Sequence, residues 1–175
     1  MTRRICITGP ESTGKTTLSQ SLARKFGCPW VPEYARSFLQ ELRRPYEEED
    51  LLLILKGQLK SEAKLLDPNR PFLFVDTGPE VIWVWSRYCF GRVAPEVDKI
   101  TRSHVYDYTL LLNIDLPWSP DPLRENPKKE DRTKLLFLYQ NLLGTLDHPY
   151  SLVSGSGGER EKTATRILRA SFPSR

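Results

Sequence analysis

The eight residues Gly9-Pro10-Glu11-Ser12-Thr13-Gly14-Lys15-Thr16 constrain this chain more than any other feature. They stand between a short β-branched run, Arg4 to Thr8, and a segment from Thr16 to Phe26 in which Leu18, Leu22 and Phe26 recur every fourth residue. That recurrence is helical, and the run before it reads as a strand. A GxxxxGK[ST] pattern at a strand-to-helix junction is a loop that cradles a polyphosphate. Its glycines let amide groups turn inward, and the helix N-terminus adds a favourable dipole. Lys15 then reaches the β and γ phosphates, and Thr16 is placed to ligate Mg²⁺. Thr17 has two readings, a contact to a further phosphate or a cap on the helix.

The remaining chain alternates strand and helix signals. Cys28 to Pro32 reads as a second strand and Glu33 to Leu42 as a helix closed by Pro45. Glu47 to Leu66 opens with four acids and continues with Leu52, Leu55, Leu59, Ala63 and Leu66 at helical spacing. Phe72 to Val75, ending at Asp76, is a continuous apolar run suited to a strand buried on both faces. Helical segments are expected over 80–88 and 95–106, and a fourth strand from Tyr108 to Ile114. Residues 117–132 hold several prolines and charges and read as a mobile cover. A helix through Leu135, Leu138, Leu142 and Leu146, a strand from Tyr150 to Val153 and a helix from Gly158 to Ala170 complete the chain. The order implies a three-layer α/β domain over residues 1–175, its sheet of about five mostly parallel strands carrying helices on both faces.

Several residues stand where such a fold gathers chemistry, at the carboxyl ends of the strands. Asp76 ends the third strand, as a carboxylate that holds the Mg²⁺ shell or as an ordinary cap. Glu33 follows the second strand and either orients and deprotonates an acceptor hydroxyl or simply starts a helix. Arg36 lies one helical turn on, placed to bind phosphate or to pair with Glu33. Arg124 and Arg132 sit with Trp118 in the irregular segment, where an arginine on a closing flap neutralises charge on a transferred phosphoryl group. The Ser154-Gly155-Ser156-Gly157-Gly158 stretch lets a planar base approach the backbone, or is a plain flexible turn.

Composition excludes other classes. With 39% hydrophobic and 27% charged residues the chain is globular, and its net charge of +4 is spread along the sequence. That suits a polyphosphate ligand better than nucleic acid, which usually meets a basic stripe. The three cysteines form no metal or disulfide spacing, and buried reduced thiols are expected; His104 and His148 stand at no ligand spacing. No apolar run approaches the ~20 residues of a membrane span or forms a signal peptide, so a cytoplasmic protein is expected. Nothing in the sequence sets an oligomeric state.

With these residues in place the chain resembles the ribosylnicotinamide kinase domain of NadR-type proteins, within the P-loop nucleoside and nucleotide kinases. The resemblance rests on the glycine-rich loop, on Glu33-Tyr34-Ala35-Arg36, on Phe74-Val75-Asp76-Thr77, and on Pro117-Trp118 with Asp121, Leu123 and Arg124. It implies a P-loop NTPase fold with a lid at about 117–132, ATP and Mg²⁺ as cosubstrates, and phosphorylation of a riboside 5′-hydroxyl. Tyr34 and Trp118 join Glu33, Arg36 and Asp76 as implied substrate contacts, and Arg132 joins the nucleotide site. The chain departs from the family pattern at Gly78, where a second acid is usual, and at Pro32 and Ala63, where stacking aromatics are usual. A nucleotide-dependent switch or partner-binding ATPase is the rival expectation. Asn113-Ile114-Asp115 lacks the lysine of a guanine-reading motif, which argues against a GTPase. Thr77 in place of a catalytic Glu argues against a ring ATPase.

Overall fold

Five strands make one fully parallel sheet: β1 (Arg3–Thr8), β2 (Trp30–Val31), β3 (Phe72–Asp76), β4 (Tyr108–Leu112) and β5 (Tyr150–Val153), in the order β2-β3-β1-β4-β5. The computed structural model describes residues 1–146 and 148–173. Between the strands run α1 (Lys15–Phe26), α2 (Tyr34–Glu41), α3 (Glu48–Leu65), α4 (Pro79–Phe90), α5 (Pro95–Ser103) and α6 (Lys129–Thr145), and α7 (Gly157–Ser171) follows β5. Strand side chains alternate across the sheet. Ile5, Ile7, Phe72, Phe74, Leu110 and Leu112 face one layer, packing on Leu18 and Leu22 of α1 and on Ala164 and Leu168 of α7. Leu111 faces the other, against Val84 of α4 and Leu135, Tyr139 and Leu142 of α6. Leu51, Ile54 and Leu55 of α3 form a further cluster with Ile82 and Val97. Both faces are covered, which is why the central strands read as continuous apolar runs.

Helix ends follow local chemistry. Gly27, with φ of 61°, ends α1 in the left-handed conformation and donates its amide to the carbonyl of Arg24 at 3.3 Å. At the start of α3 the Glu47 amide donates to Asp50 at 2.8 Å, and Arg44 grips the same carboxylate with two bonds of 2.7 and 2.9 Å. Those bonds, Arg44 first, hold the Asp50 carboxyl below its usual range.

Boundaries differ from the sequence reading at several points, and β2 keeps only Trp30–Val31 of the stretch Cys28 to Pro32. The fourth strand stops at Leu112, because the Asn113 side chain accepts the amide of Ile114 at 2.8 Å and turns the chain. The fifth helix stops at Ser103, and the two residues His104 and Tyr106 instead bond Glu62 at 3.0 and 2.7 Å. The last four residues of the 117–132 segment, Arg132 among them, already belong to α6. The cysteines also differ from expectation: all three are free, but only Cys6 is buried and Cys89 is exposed.

Behind the end of β3 lies a buried polar cluster. Cys6 donates its thiol to Glu80 at 3.0 Å, and the Gly78 amide donates to the same oxygen at 3.1 Å. Burial and the neighbouring carboxylates push the Cys6 thiol pKa well up, so it stays protonated. A Cβ on Gly78 would lie 2.6 Å from both the Glu80 carboxylate and the Tyr106 hydroxyl, which accounts for glycine at a position where an acid is usual in the resembling family. Overpacking of this kind costs about 1–3 kcal/mol. Gly78→Ala should lower the urea midpoint of unfolding accordingly, and Gly78→Asp should lower it further; an unchanged midpoint in both would refute the packing account.

Candidate active site

The loop between β1 and α1 is held in a concave form by its own backbone. Gly9 has φ of 137°, Ser12 of 59° and Gly14 of 81°, and a Cβ on Gly9 would come within 2.8 Å of the Leu112 carbonyl oxygen. Only glycine fits at that approach. Thr13 Oγ1 donates to the Pro10 carbonyl at 2.7 Å, and Lys15 Nζ donates to the carbonyls of Gly9 and Pro10 at 2.9 and 3.0 Å. The first bond within α1 runs from the Leu18 amide to the Gly14 carbonyl at 3.0 Å. The amides of the preceding turn therefore lack helical partners, and Gly14, Lys15, Thr16 and Thr17 all line the adjoining cleft.

Strand pairing brings Asp76 to this loop. Ile7 and Asp76 are register partners across β1 and β3, so the end of β3 sits beside the start of the loop. Thr16 Oγ1 donates to Asp76 Oδ2 at 2.6 Å, while Asp76 Oδ1 is buried with no hydrogen-bond partner. Burial first, and then the charge of Glu33, push the Asp76 carboxyl up from an ordinary 3.8 to about 6; the Thr16 hydroxyl and the nearby Lys15 and Arg36 pull it back part of the way. The next residue, Thr77, has φ of 69°, a strained conformation for a β-branched side chain. Among the described residues no group of three or more His, Cys, Asp or Glu forms a metal cage. A hydroxyl beside one carboxylate with an unsatisfied oxygen instead fits Mg²⁺, which is held by one or two carboxylates and completed by substrate phosphates.

Glu33, Arg36 and Arg124 line the same cleft as the loop. Glu33 precedes the first turn of α2. Arg36 bonds Asp121 of the lid at 3.0 Å, so it pairs across the cleft and not with Glu33 one turn away. Asp121 also accepts the Leu123 amide, and that bond, with Arg36 and Arg124 adding, holds its carboxyl below the usual range. Arg124 Nη1 donates to the Ser119 carbonyl, and its guanidinium lies 5.9 Å from the Trp118 ring centre. Arg132, almost wholly buried, lies 5.5 Å from the same ring and reaches the Leu116 carbonyl at 3.5 Å.

The lid is fastened to the phosphate loop itself. The Glu11 carboxylate accepts the amides of Glu125 at 3.1 Å and Asn126 at 2.9 Å, together with the Asn126 side chain at 3.3 Å. Ser12 Oγ accepts the Ser119 amide at 2.9 Å and donates to the Pro117 carbonyl at 3.3 Å. Two residues expected only to border a polyphosphate thus hold both limbs of the lid.

The cleft encloses roughly 1060 Å³ of space open to solvent. Its lining also includes residues not singled out from the sequence: Tyr46 before α3, Trp85 of α4, Tyr139 of α6 and Glu125 of the lid. The rings of Tyr46 and Trp85 stand 6.4 Å apart at 82°, and the Tyr46 hydroxyl meets Glu125 at 3.3 Å and the Cys89 thiol at 3.4 Å. Five residues named from the sequence lie outside the lining. Tyr34 turns its ring over Gly57, where a Cβ would come within 2.1 Å of it, and the Trp118 ring lies beneath Arg124 and Arg132 of α6. Pro10, Asp76 and Arg132 act from behind the surface through the bonds described.

Comparison with known proteins agrees with this geometry. The chain is 28% identical over 147 residues to the trifunctional NAD biosynthesis/regulator protein NadR of Salmonella typhimurium and, equally, to that of Escherichia coli. The match covers 81% of this chain and 34% of each relative, so the chain spans about a third of their length. Among solved structures, NadR in complex with NR superposes with a TM-score of 0.84 at 21% identity, over 99% of this chain and 52% of that one. Thymidylate kinase from Ehrlichia chaffeensis superposes with a TM-score of 0.67 at 13% identity, over 95% and 98% of the two chains. These likenesses establish the P-loop kinase fold. Residues 4–160 match the AAA domain family, to which this chain belongs.

Proposed function

We propose that the chain is an ATP-dependent kinase that phosphorylates a small-molecule hydroxyl, with the 5′-hydroxyl of nicotinamide riboside or a related nucleoside as acceptor. The observation that carries this reading is one cleft lined by the phosphate loop, by the carboxylate of Glu33 and by the Tyr46–Trp85 aromatic wall. A nucleotide-binding switch has no need for the last two. Similarity to NadR and a shared fold with nucleoside kinases support the same class.

In this mechanism the loop amides and Lys15 bind the β and γ phosphates of ATP, Lys15 exchanging its two loop carbonyls for phosphate oxygens. Thr16 and Asp76 would hold Mg²⁺, which would supply positive charge to the phosphates. Glu33 orients the acceptor hydroxyl and takes its proton as that oxygen bonds the γ phosphorus and the bond from phosphorus to the β–γ bridging oxygen breaks. Arg124 neutralises charge on the transferred group, and the lid fastened by Glu11 and Ser12 excludes water. The arrangement works by position and charge, with no covalent enzyme intermediate. Tyr46 and Trp85 take the place of the aromatics missing at Pro32 and Ala63, one ring stacking on the acceptor base while the other meets its edge.

Incubation with Mg-ATP and a panel of ribosides that includes nicotinamide riboside should release ADP only with acceptor present. Lys15→Ala should abolish the release, and Arg124→Ala should lower kcat by roughly 10²–10³. ATP binding with no acceptor-dependent turnover, or turnover raised only by another protein, would favour the switch. Trp85→Ala should raise the acceptor KM by about tenfold or more, the worth of one aromatic stack, and leave the KM for ATP unchanged; equal shifts in both constants would remove Trp85 from the acceptor site.

Asp76 adds a pH dependence. Its folded pKa, about 6, lies above the ordinary 3.8, so the folded state holds the proton more tightly and stability falls as pH rises between those values. In metal-free buffer Asp76→Asn should therefore gain of the order of 2–3 kcal/mol above pH 6 and nothing near pH 4. Denaturation midpoints across that range test it, and a gain independent of pH would contradict the assignment.

A further inference from the structure

Arg160 was singled out neither by any motif nor by the mechanism above, yet it is only 3% exposed and makes bonds to three separate loops. From the first turn of α7, its Nη1 donates to the Thr13 carbonyl of the phosphate loop. Nε donates to the Gly155 carbonyl after β5 at 2.8 Å, and Nη2 donates to the Asn113 carbonyl after β4 at 3.3 Å and to Asp115 Oδ1. Asp115 closes the ring, its other oxygen accepting the Gly155 amide at 2.6 Å. Burial disfavours the Arg160 charge, and Asp115 opposes that effect in part.

One of these bonds bears on phosphate binding. Peptide groups are planar, and the chain contains no cis bond among its described residues, so the Thr13 carbonyl and the Gly14 amide hydrogen point in opposite directions. Fixing the carbonyl on Arg160, at the back of the loop, turns the Gly14 N–H toward the cleft that Gly14 lines. Left-handed Gly14, with φ of 81°, accepts the orientation without steric cost. The same guanidinium fixes Gly155, in the glycine-rich loop suited to close approach by a planar base. A planar fork with five donors can span these acceptors; a lysine ammonium on a flexible stem cannot.

We propose that Arg160 is a positioning residue that presets the phosphate loop for polyphosphate and couples it to the glycine-rich loop after β5, so that base and phosphates are bound by one braced unit. This rests on the reading of residues 9–17 as the nucleotide site. Titration calorimetry with Mg-ATP and with Mg-tripolyphosphate, on the wild type, Lys15→Ala, Arg160→Lys and Arg160→Ala, tests it. Arg160→Lys should weaken both ligands about tenfold or more, the worth of a charge-assisted bond, while keeping its melting temperature near that of the wild type. Guanidinium ion at low millimolar concentration should restore tripolyphosphate binding to Arg160→Ala, a rescue that a purely structural role does not give. Should the arginine variants fail to fold, Asp115→Asn, which releases the guanidinium from its counter-charge, should weaken tripolyphosphate in the same direction. Wild-type affinities in folded Arg160→Lys, or in Asp115→Asn where that variant stands in, would overturn the proposal while leaving the nucleotide site intact if Lys15→Ala has lost binding. Absence of binding by the wild type would overturn both readings.

Discussion

The contact between Thr16 Oγ1 and Asp76 Oδ2, at 2.6 Å, joins the start of α1 to the end of β3. It exists because β1 and β3 are parallel neighbours in a register that pairs Ile7 with Asp76. Parallel strands deliver their carboxyl ends to one edge of the sheet, so the loops that leave them converge without further design. Glu33 after β2, Asp115 after β4 and Gly155 after β5 arrive at that edge for the same reason. A sheet with one strand reversed would have sent one of these groups to the opposite edge.

Much of this was legible in the sequence because it is local. The glycine-rich loop declares itself through spacing alone, and the buried runs at β1, β3 and β4 follow from a sheet covered on both faces. Strand and helix ends were read less well where a single side chain decides, as at Asn113, whose bond to the Ile114 amide ends β4. The aromatic wall of the cleft was not legible. Tyr46 and Trp85 lie 39 positions apart in numbering on different elements, and only the packing of α3 against α4 brings their rings to 6.4 Å. Arg160 escaped notice for a related reason: in sequence it is one more charge in a charged helix, and its burial depends on three loops folding around it. Tyr34 and Trp118 were named from a motif, which carries no information about rotamers, and their rings pack beside lining residues without lining the cleft themselves.

The lid and the phosphate loop behave as one unit in this structure. Glu11 is an acid within a loop built for anions, an unfavourable choice unless its charge is spent elsewhere. Its carboxylate accepts three N–H groups of the lid, which spend it. Ser12 fixes the other limb, and Arg36 with Asp121 bridges the lid to α2. The lid is thereby held by charges and dipoles that line the cleft, so a ligand that enters competes with the groups that close it.

The electrostatics of the cleft point in one direction. The charge of Glu33 opposes ionisation of Asp76, and burial of Asp76 opposes it more strongly. Evolution could have relieved this with a buried arginine or an asparagine, and the nearest cations, Lys15 and Arg36, are engaged with loop carbonyls and with Asp121. A buried carboxylate with one oxygen left unpartnered is costly to keep. Its place beside the hydroxyl of Thr16 suits the cation of the proposed mechanism, because the charge that destabilises the protein alone would then stabilise the loaded cleft.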